Sequence, residues 1–508
     1  MNLSISPTEV VHLGGTLGMH VSDTEASELA SVLTEQLNAL GVLDEVASKT
    51  LGGAPAMAVH EPSESEDAFH AWDLQFDLGG ATSGPLQGRT AAVKASIEVA
   101  GVPVSAGNTL VQHVPTRNSS VVERLLRAGA RIVGTTRLSE FEHDGAGITG
   151  HPRPLPDNPA SPGFVPGGSS SGSATVVAAG EVDFAIGSDT GGSIREPASW
   201  TGVVGLKPTT GLVPLDGTPI FEPSLTALGP MARTVEVCAQ VLSAIADGQQ
   251  DYVQGLDAGV SGIRIGALEQ GFGIAGHSDP VVDATVREAI AVLERCGAHT
   301  APVSVPWHEF GVPIWSGIAT EGSTIQLVDN AAGRLRRAAE SSGTYMDAYA
   351  RALHEHAGAF PYTRKAAFLL GRYLLERPEQ RRYSLAIELG HQLRRAYDDA
   401  FEQFDLLVMP TTPQLPFRAE PAERGIRETL ALAAGSYQNA APFNVSGHPA
   451  LSVPCGTVDG LPVGLMLVGR RAQDALVLRA GHAYEQARDA LRQGASDAQA
   501  PRGSHAST

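Results

Sequence analysis

Cysteine is scarce in this chain: Cys238, Cys296 and Cys455 are an odd number at wide spacing among 508 residues. They form neither a disulfide framework nor a zinc knuckle, so a reducing cytoplasm is the expected compartment. Clustered positive charge is missing as well. Lys and Arg total 36 against 55 Asp and Glu, a formal charge of −19, and without a basic run to neutralise phosphates a nucleic-acid partner is excluded. No apolar stretch approaches the length of a membrane span, and the opening MNLSISPTEVVHLGG lacks the basic flank and apolar core of a signal peptide. Metal-ligand spacing is absent from the two histidine-bearing stretches, around His143, Asp144 and His151 and at His354, Glu355 and His356, so both read as polar surface.

What is present suits a large globular protein. Hydrophobic residues make up 42% and charged residues 18%, enough to bury a sizeable core. The length allows roughly two to four domains, or one large domain with additions. The 57 glycines and 33 prolines are spread as loop punctuation, which implies many short connections.

Periodicity divides the chain into a helical N-terminal segment over 1–60, a main domain over 61–490 and a disordered tail over 491–508. Ser22 and Glu25 make a capping box, Leu29, Val32, Leu33, Leu37 and Leu40 an apolar stripe, and Gly41 a stop. A homodimer through that stripe is the expected assembly. In the main domain, a strand from Arg89 leads to Lys94, Ser119 to Gly129 reads as a helix and Arg131 to Gly134 as a strand. The alternation returns with a helix over Ser173 to Ala179 and a strand over Val182 to Ile186. Recurrent βα units predict an α/β fold, a mixed twisted sheet sandwiched by helices. Asp279 and Pro280 open a helix that ends at Gly297, and about 300–400 reads as a helical, substrate-shaping insertion. Strands resume at Asp405 to Met409 and around Leu461 to Val468, before a helix from Asp474 to about Arg492.

Chemistry concentrates in two glycine-set serines 24 positions apart, Ser169 in GGSSSGSA and Ser193 in GSDTGGSIR. The first run lacks the Gly-Lys-Ser/Thr ending of a phosphate loop and the G-x-G-x-x-G of a dinucleotide fold. Lys94, in the apolar stretch AAVKASIEVAG, has little polar company. A buried lysine is costly unless neutral or paired, and a neutral amine is a base able to activate a serine hydroxyl.

From PGGSSSGSATVVAAGEVDFAIGSDTGGSIREPASWTGVVGLKPTTGLVP, the chain resembles the amidase signature family of serine hydrolases. VKASIEVAGVPVSAG, VVERLLRAGARIVGTTRLSEF, DLLVMPTTP, APFNVSGHPALSVPCG and GLPVGLMLVGRR carry the likeness over roughly 70–490, nearest to bacterial nitrile-pathway amidases. The resemblance implies Ser193 as nucleophile, Ser169 as a bridging serine on a cis peptide and Lys94 as terminal base. It further implies hydrolysis of small carboxamides to acid and ammonia through an acyl-enzyme, with no metal and no cofactor. The backbone N–H groups of Thr190, Gly191 and Gly192 are expected to form the oxyanion hole, with Asp189 and Arg195 paired in support of the loop. Ser170, Ser171 and Ser188 lie close by, but only Ser169 and Ser193 match the register.

The chain departs from the family after Lys94, where Ala95 and Ser96 replace the common Asp-Asn. Trp200, Trp307, Trp315, Phe443 and Tyr437 are candidates for an acyl pocket, with core packing the expected role of at least half. Cys455 with His448 could suggest a thiol hydrolase, though a buried structural cysteine is the expected role. Two rival functions stand: the glutaminase component of a tRNA amidotransferase, and a catalytically impaired binding protein on the same scaffold.

Overall fold

The computed structural model describes residues 4–50, 53, 55, 57–150, 154–219, 222–329, 343–419, 424–434 and 436–499. The chain divides into two compact units, Met1–Ala56 and Met57–Thr508.

The first unit holds helices Pro7–Thr16, Asp23–Leu40 and Val42–Thr50. Ser22 and Glu25 close a capping box on the second helix, and Ser6 and Glu9 close another on the first. That first helix went unread in the sequence although Ser6, Pro7 and Glu9 carry its start signal. Packing within this unit uses mainly a face beside the expected stripe. Val10, Ala26 and Ala30 are buried together, with Leu33 half-buried beside them, whereas Leu29, Val32 and Leu40 are exposed. Small alanines let the two helices approach closely, so the face that packs inward is the alanine face.

Among the described residues the second unit is built on one sheet of 11 strands. In chain order these are β1 (Trp72–Leu78), β2 (Thr90–Lys94), β3 (Arg131–Thr136), β4 (Phe184–Asp189), β5 (Val204–Lys207), β6 (Ala227–Ala232), β7 (Arg264–Leu268), β8 (His299–Val303), β9 (Leu406–Pro410), β10 (Ala450–Val458) and β11 (Leu461–Gly469). Their spatial order is β1-β3-β2-β4-β6-β5-β10-β11-β9-β7-β8. Strand β2 runs parallel to β3 and β4, and β7 runs parallel to β8 and β9; the other pairings are antiparallel, so the sheet is mixed. Every residue of β4 and of β9 is buried, as strands covered on both faces require. The edge strand β8 is largely exposed and carries Pro302, whose missing N–H is tolerated at an edge.

Helix Ser120–Arg127 starts at the capping Ser119, and Pro280–Arg295 starts at the capping Asp279. Between β8 and β9 the chain forms helices Gly311–Thr324, Gly343–His356, Tyr362–Leu375 and Tyr383–Gln403. The last helix, Asp474–Gln499, runs past Arg492 into the stretch expected to be disordered, because no proline interrupts it before residue 501. The remainder of that predicted tail, and His151, lie outside the described residues.

Candidate active site

Parallel pairing sets the framework. Val93 in β2 pairs with Ile186 in β4, so the next residues, Lys94 and Gly187 to Asp189, emerge together at the C-terminal ends of both strands. Loops gather at such ends in parallel sheets, and sites form there. Lys94 is fully buried, and its Nζ lies 2.8 Å from Ser169 Oγ and 2.7 Å from Ser188 Oγ. Burial lowers the Lys94 pKa from the ordinary lysine range, and the nearby carboxylate of Glu142 opposes that shift.

Ser169 follows a cis peptide bond to Gly168 and precedes helix Ser171–Ala178. A Cβ on Gly168 would stand 2.6 Å from Ser139 Oγ and 2.8 Å from Gly147 N, so only glycine admits this crossing of loops. Ser193 is half-buried at the start of the turn into helix Arg195–Thr201, and its carbonyl accepts a hydrogen bond from Ser170 N–H at 3.3 Å. Among the described residues no hydrogen bond joins the Ser169 and Ser193 hydroxyls.

The segment before Ser193 is anchored by charge. Arg195 Nη2 and Nε donate to Asp189 Oδ1 and Oδ2 at 2.9 and 3.0 Å, a fork-to-fork pair with both side chains fully buried. Burial alone would raise the Asp189 carboxyl, yet Arg195 and Asn444 outweigh it and hold the pKa at about 2. The same carboxylate accepts Gly192 N–H at 2.8 Å and Ile194 N–H at 3.2 Å. Gly192 has φ +139°, and a Cβ there would fall 2.1 Å from Glu196 Oε1. Trp315 closes the other side, its Nε1 donating to the Thr190 carbonyl at 2.7 Å.

A cavity of about 370 Å³ opens over this loop. Thr190, Gly191 and Ser193 face it together with Trp315, Tyr437, Leu370 and Leu430, and with alanines at 319, 366, 367, 433 and 434. Its polar lining includes Glu142, His143, Asp144 and Glu196, and among the described residues neither Lys nor Arg contributes. Burial, reinforced by Arg364, lowers His143 to about 3, so the imidazole is neutral at pH 7. Burial raises the Glu196 carboxyl well above the usual carboxylate range, while Ser436 Oγ donates to its Oε2 at 2.8 Å. Asp144 binds inward, accepting the N–H groups of Ala146, Ile148 and Thr149.

Of the five aromatic candidates, Trp315 and Tyr437 line the cavity with ring centroids 5.2 Å apart. Trp200 and Phe443 are core residues, and Trp307 lies on a separate apolar groove with Phe310 and Leu389. Burial pushes the Cys455 thiol up to about 12, which leaves no thiolate at neutral pH. His448 is paired elsewhere, with Ser446 and Asp398.

Sequence reading missed Glu142 and Glu196. Glu142 stands in EHDGAG, beside the histidine and aspartate that drew notice, and Glu196 stands three positions after Ser193, one helical turn on. Ser188 was set aside as a serine outside the register, yet it is bound directly to Lys94.

The profile of the family described as Amidase matches residues 55–478. An enantioselective amidase of Rhodococcus rhodochrous is 37% identical over 479 residues, covering 91% of each chain. A glutamyl-tRNA(Gln) amidotransferase component of Natronomonas pharaonis is 39% identical over 79% of this chain and 96% of its own. The crystal structure of the corresponding glutamyl-tRNA(Gln) amidotransferase component from Thermotoga maritima superposes with a TM-score of 0.67 at 26% identity, covering 85% of this chain and 87% of that one.

Proposed function

The chain belongs to the amidase signature family and is an amide hydrolase, and from that premise we propose that it converts small uncharged carboxamides with apolar acyl groups to the acid and ammonia. The observation that carries this reading is a fully buried lysine hydrogen-bonded to Ser169 beneath a largely apolar cavity that Ser193 faces. Ser193 Oγ attacks the amide carbonyl while its proton passes to Ser169 and the proton of Ser169 passes to neutral Lys94. Charge developing on the carbonyl oxygen is met by the backbone N–H groups of Thr190 and Gly191; the Gly192 N–H, expected to join them, instead donates to Asp189, which with Arg195 holds the loop in shape. The relay then runs in reverse, protonating the amine as the C–N bond breaks, and water hydrolyses the acyl-enzyme. Trp315, Tyr437 and Leu370 take the acyl group.

The likeness to amidotransferase components favours a second reading, glutamine as substrate and partner proteins that receive the ammonia. The lining argues against it, since the α-carboxylate of glutamine calls for a cation and no described Lys or Arg faces the cavity. A binding protein on an impaired scaffold is disfavoured by the retention of all three residue types, Lys94, Ser169 and Ser193. Ammonia release from propionamide, benzamide, phenylacetamide and glutamine separates these readings: turnover of the apolar amides is expected, and turnover of glutamine alone would overturn the proposal.

A homodimer through the exposed Leu29, Val32 and Leu40 of the N-terminal unit accords with their apolar character. The three free cysteines accord with a reducing cytoplasm. No described helix is long and apolar enough to cross a membrane.

A further inference from the structure

Next to Lys94 lies a carboxylate that the reaction above does not use. Glu142 Oε1 is 3.4 Å from Lys94 Nζ, and the two side chains are 5% and 0% exposed. Two hydroxyls, the carboxylate and the amine form one network: Ser96 Oγ donates to Glu142 Oε1, Ser188 Oγ donates to Glu142 Oε2 at 3.1 Å, and Lys94 Nζ donates to Ser188. After Lys94, Ala95 brings no carboxylate and Ser96 turns to Glu142.

The backbone is shaped to deliver that side chain. Phe141 and Glu142 are consecutive non-glycine residues with φ +51° and +58°, a conformation that is unfavourable for such residues and persists only where surroundings enforce it. The enforcement is visible. Phe141 N–H donates to Ala106 O at 2.8 Å, the Phe141 ring stacks on Phe360 with centroids 4.4 Å apart, Arg364 donates to the Phe141 carbonyl, and Glu142 N–H donates to Ser139 O at 2.8 Å.

We propose that Glu142 is the counter-ion of Lys94, a positioning residue that aims the amine at Ser169 and stabilises the ammonium formed as Ser193 attacks. This rests on Lys94 being the terminal base. As the bond from Ser193 Oγ to the carbonyl carbon forms, the Ser193 proton moves to Ser169 Oγ, that of Ser169 moves to Lys94 Nζ, and the new ammonium faces the Glu142 carboxylate. Glu142 itself forms no covalent bond. Among the described residues, the other charged or titratable groups facing this pair are Asp189 on the Lys94 side, and Arg364 and Tyr345 on the Glu142 side.

Two opposed effects follow. An anion beside the amine favours its charged form, so removing it moves the acid limb of kcat/KM to lower pH, by about 1–3 pH units. Removing it also withdraws stabilisation from the ammonium of the transition state, so the alkaline plateau falls, by about tenfold.

The test compares pH profiles of kcat/KM and of fluorophosphonate labelling for the wild type, Lys94→Ala, Glu142→Gln and Glu142→Asp. Labelling that persists in Lys94→Ala would overturn the lysine-base reading itself. With that reading intact, Glu142→Gln is expected to shift the limb downward while lowering the plateau, and Glu142→Asp to restore the limb toward wild type. A limb unmoved in Glu142→Gln, whatever the plateau does, overturns the counter-ion role, because a merely structural residue would lower rate without moving the limb. Should the glutamine variant fail to fold, Glu142→Ala gives the same two readings.

Discussion

Asp189 meets five donors from two segments: two from Arg195, the backbone N–H groups of Gly192 and Ile194, and the side-chain amide of Asn444. Replacing it by Asn would leave the Arg195 guanidinium buried without its charge partner. Such a break costs about 3–5 kcal/mol, so Asp189→Asn is expected to lower the urea midpoint markedly as well as to disorder the loop. Retention of wild-type stability would show that the pair does not hold the loop. Ser193 is a separate matter, since the proposed role of its hydroxyl bears on chemistry rather than folding. Ser193→Ala should keep the wild-type urea midpoint while losing fluorophosphonate labelling and at least about 10³-fold in amide hydrolysis. Labelling that survives at another serine would reassign the nucleophile.

Helix Gly311–Thr324 presents Trp315 to the segment proposed to bind the oxyanion, joining the insertion between β8 and β9 to the loop after β4. One side chain thus serves as cavity wall and as brace for the Thr190 carbonyl. Trp315→Ala enlarges the cavity and removes the brace. Its expected signature is a relative gain for amides with bulkier acyl groups together with a fall in kcat of about tenfold for all of them, read from ammonia release. An unchanged substrate ranking would exclude the indole from the acyl pocket. In the N-terminal unit, Leu29→Asp with Val32→Asp on helix Asp23–Leu40 is expected to convert a dimeric mass in solution to a monomeric one, as a charge is costly at an apolar contact. A monomeric wild type would rule that contact out. Elements of this kind differ in how openly they were written. Capping boxes, Pro at the first helical position and apolar periods marked helices Asp23–Leu40 and Pro280–Arg295 locally, whereas the burial of β1, β5 and β6 depends on neighbours distant in sequence.

Across the whole molecule, pH acts on the proposed base through burial. Folding removes Lys94 from water and lowers its pKa, and hydrolysis needs the neutral amine, so activity should rise toward alkaline pH along a limb lying below the ordinary lysine value of about 10.5. A profile peaking near pH 5 would count against a lysine base. Asp189 acts on stability with the opposite sense of protonation. Its folded pKa is about 2, below that of the unfolded chain, so its contribution is complete above about pH 4 and is lost as pH falls toward 2.

The amidase likeness, the two serines and the lysine were all readable in the chain itself, because glycine-set turns and strand ends are local patterns that need only neighbouring residues. Which serine besides Ser169 touches Lys94, which carboxylate faces it, and which aromatics wall the cavity were decided only by tertiary packing. Ser96 and Glu142 are 46 positions apart, Lys94 and Ser188 are 94, and Trp315 and Thr190 are 125. No local period or spacing encodes such pairs. They exist because β2, β3 and β4 pair in parallel, ending beside one another, and because an aromatic cluster around Phe141 bends one loop back over the lysine.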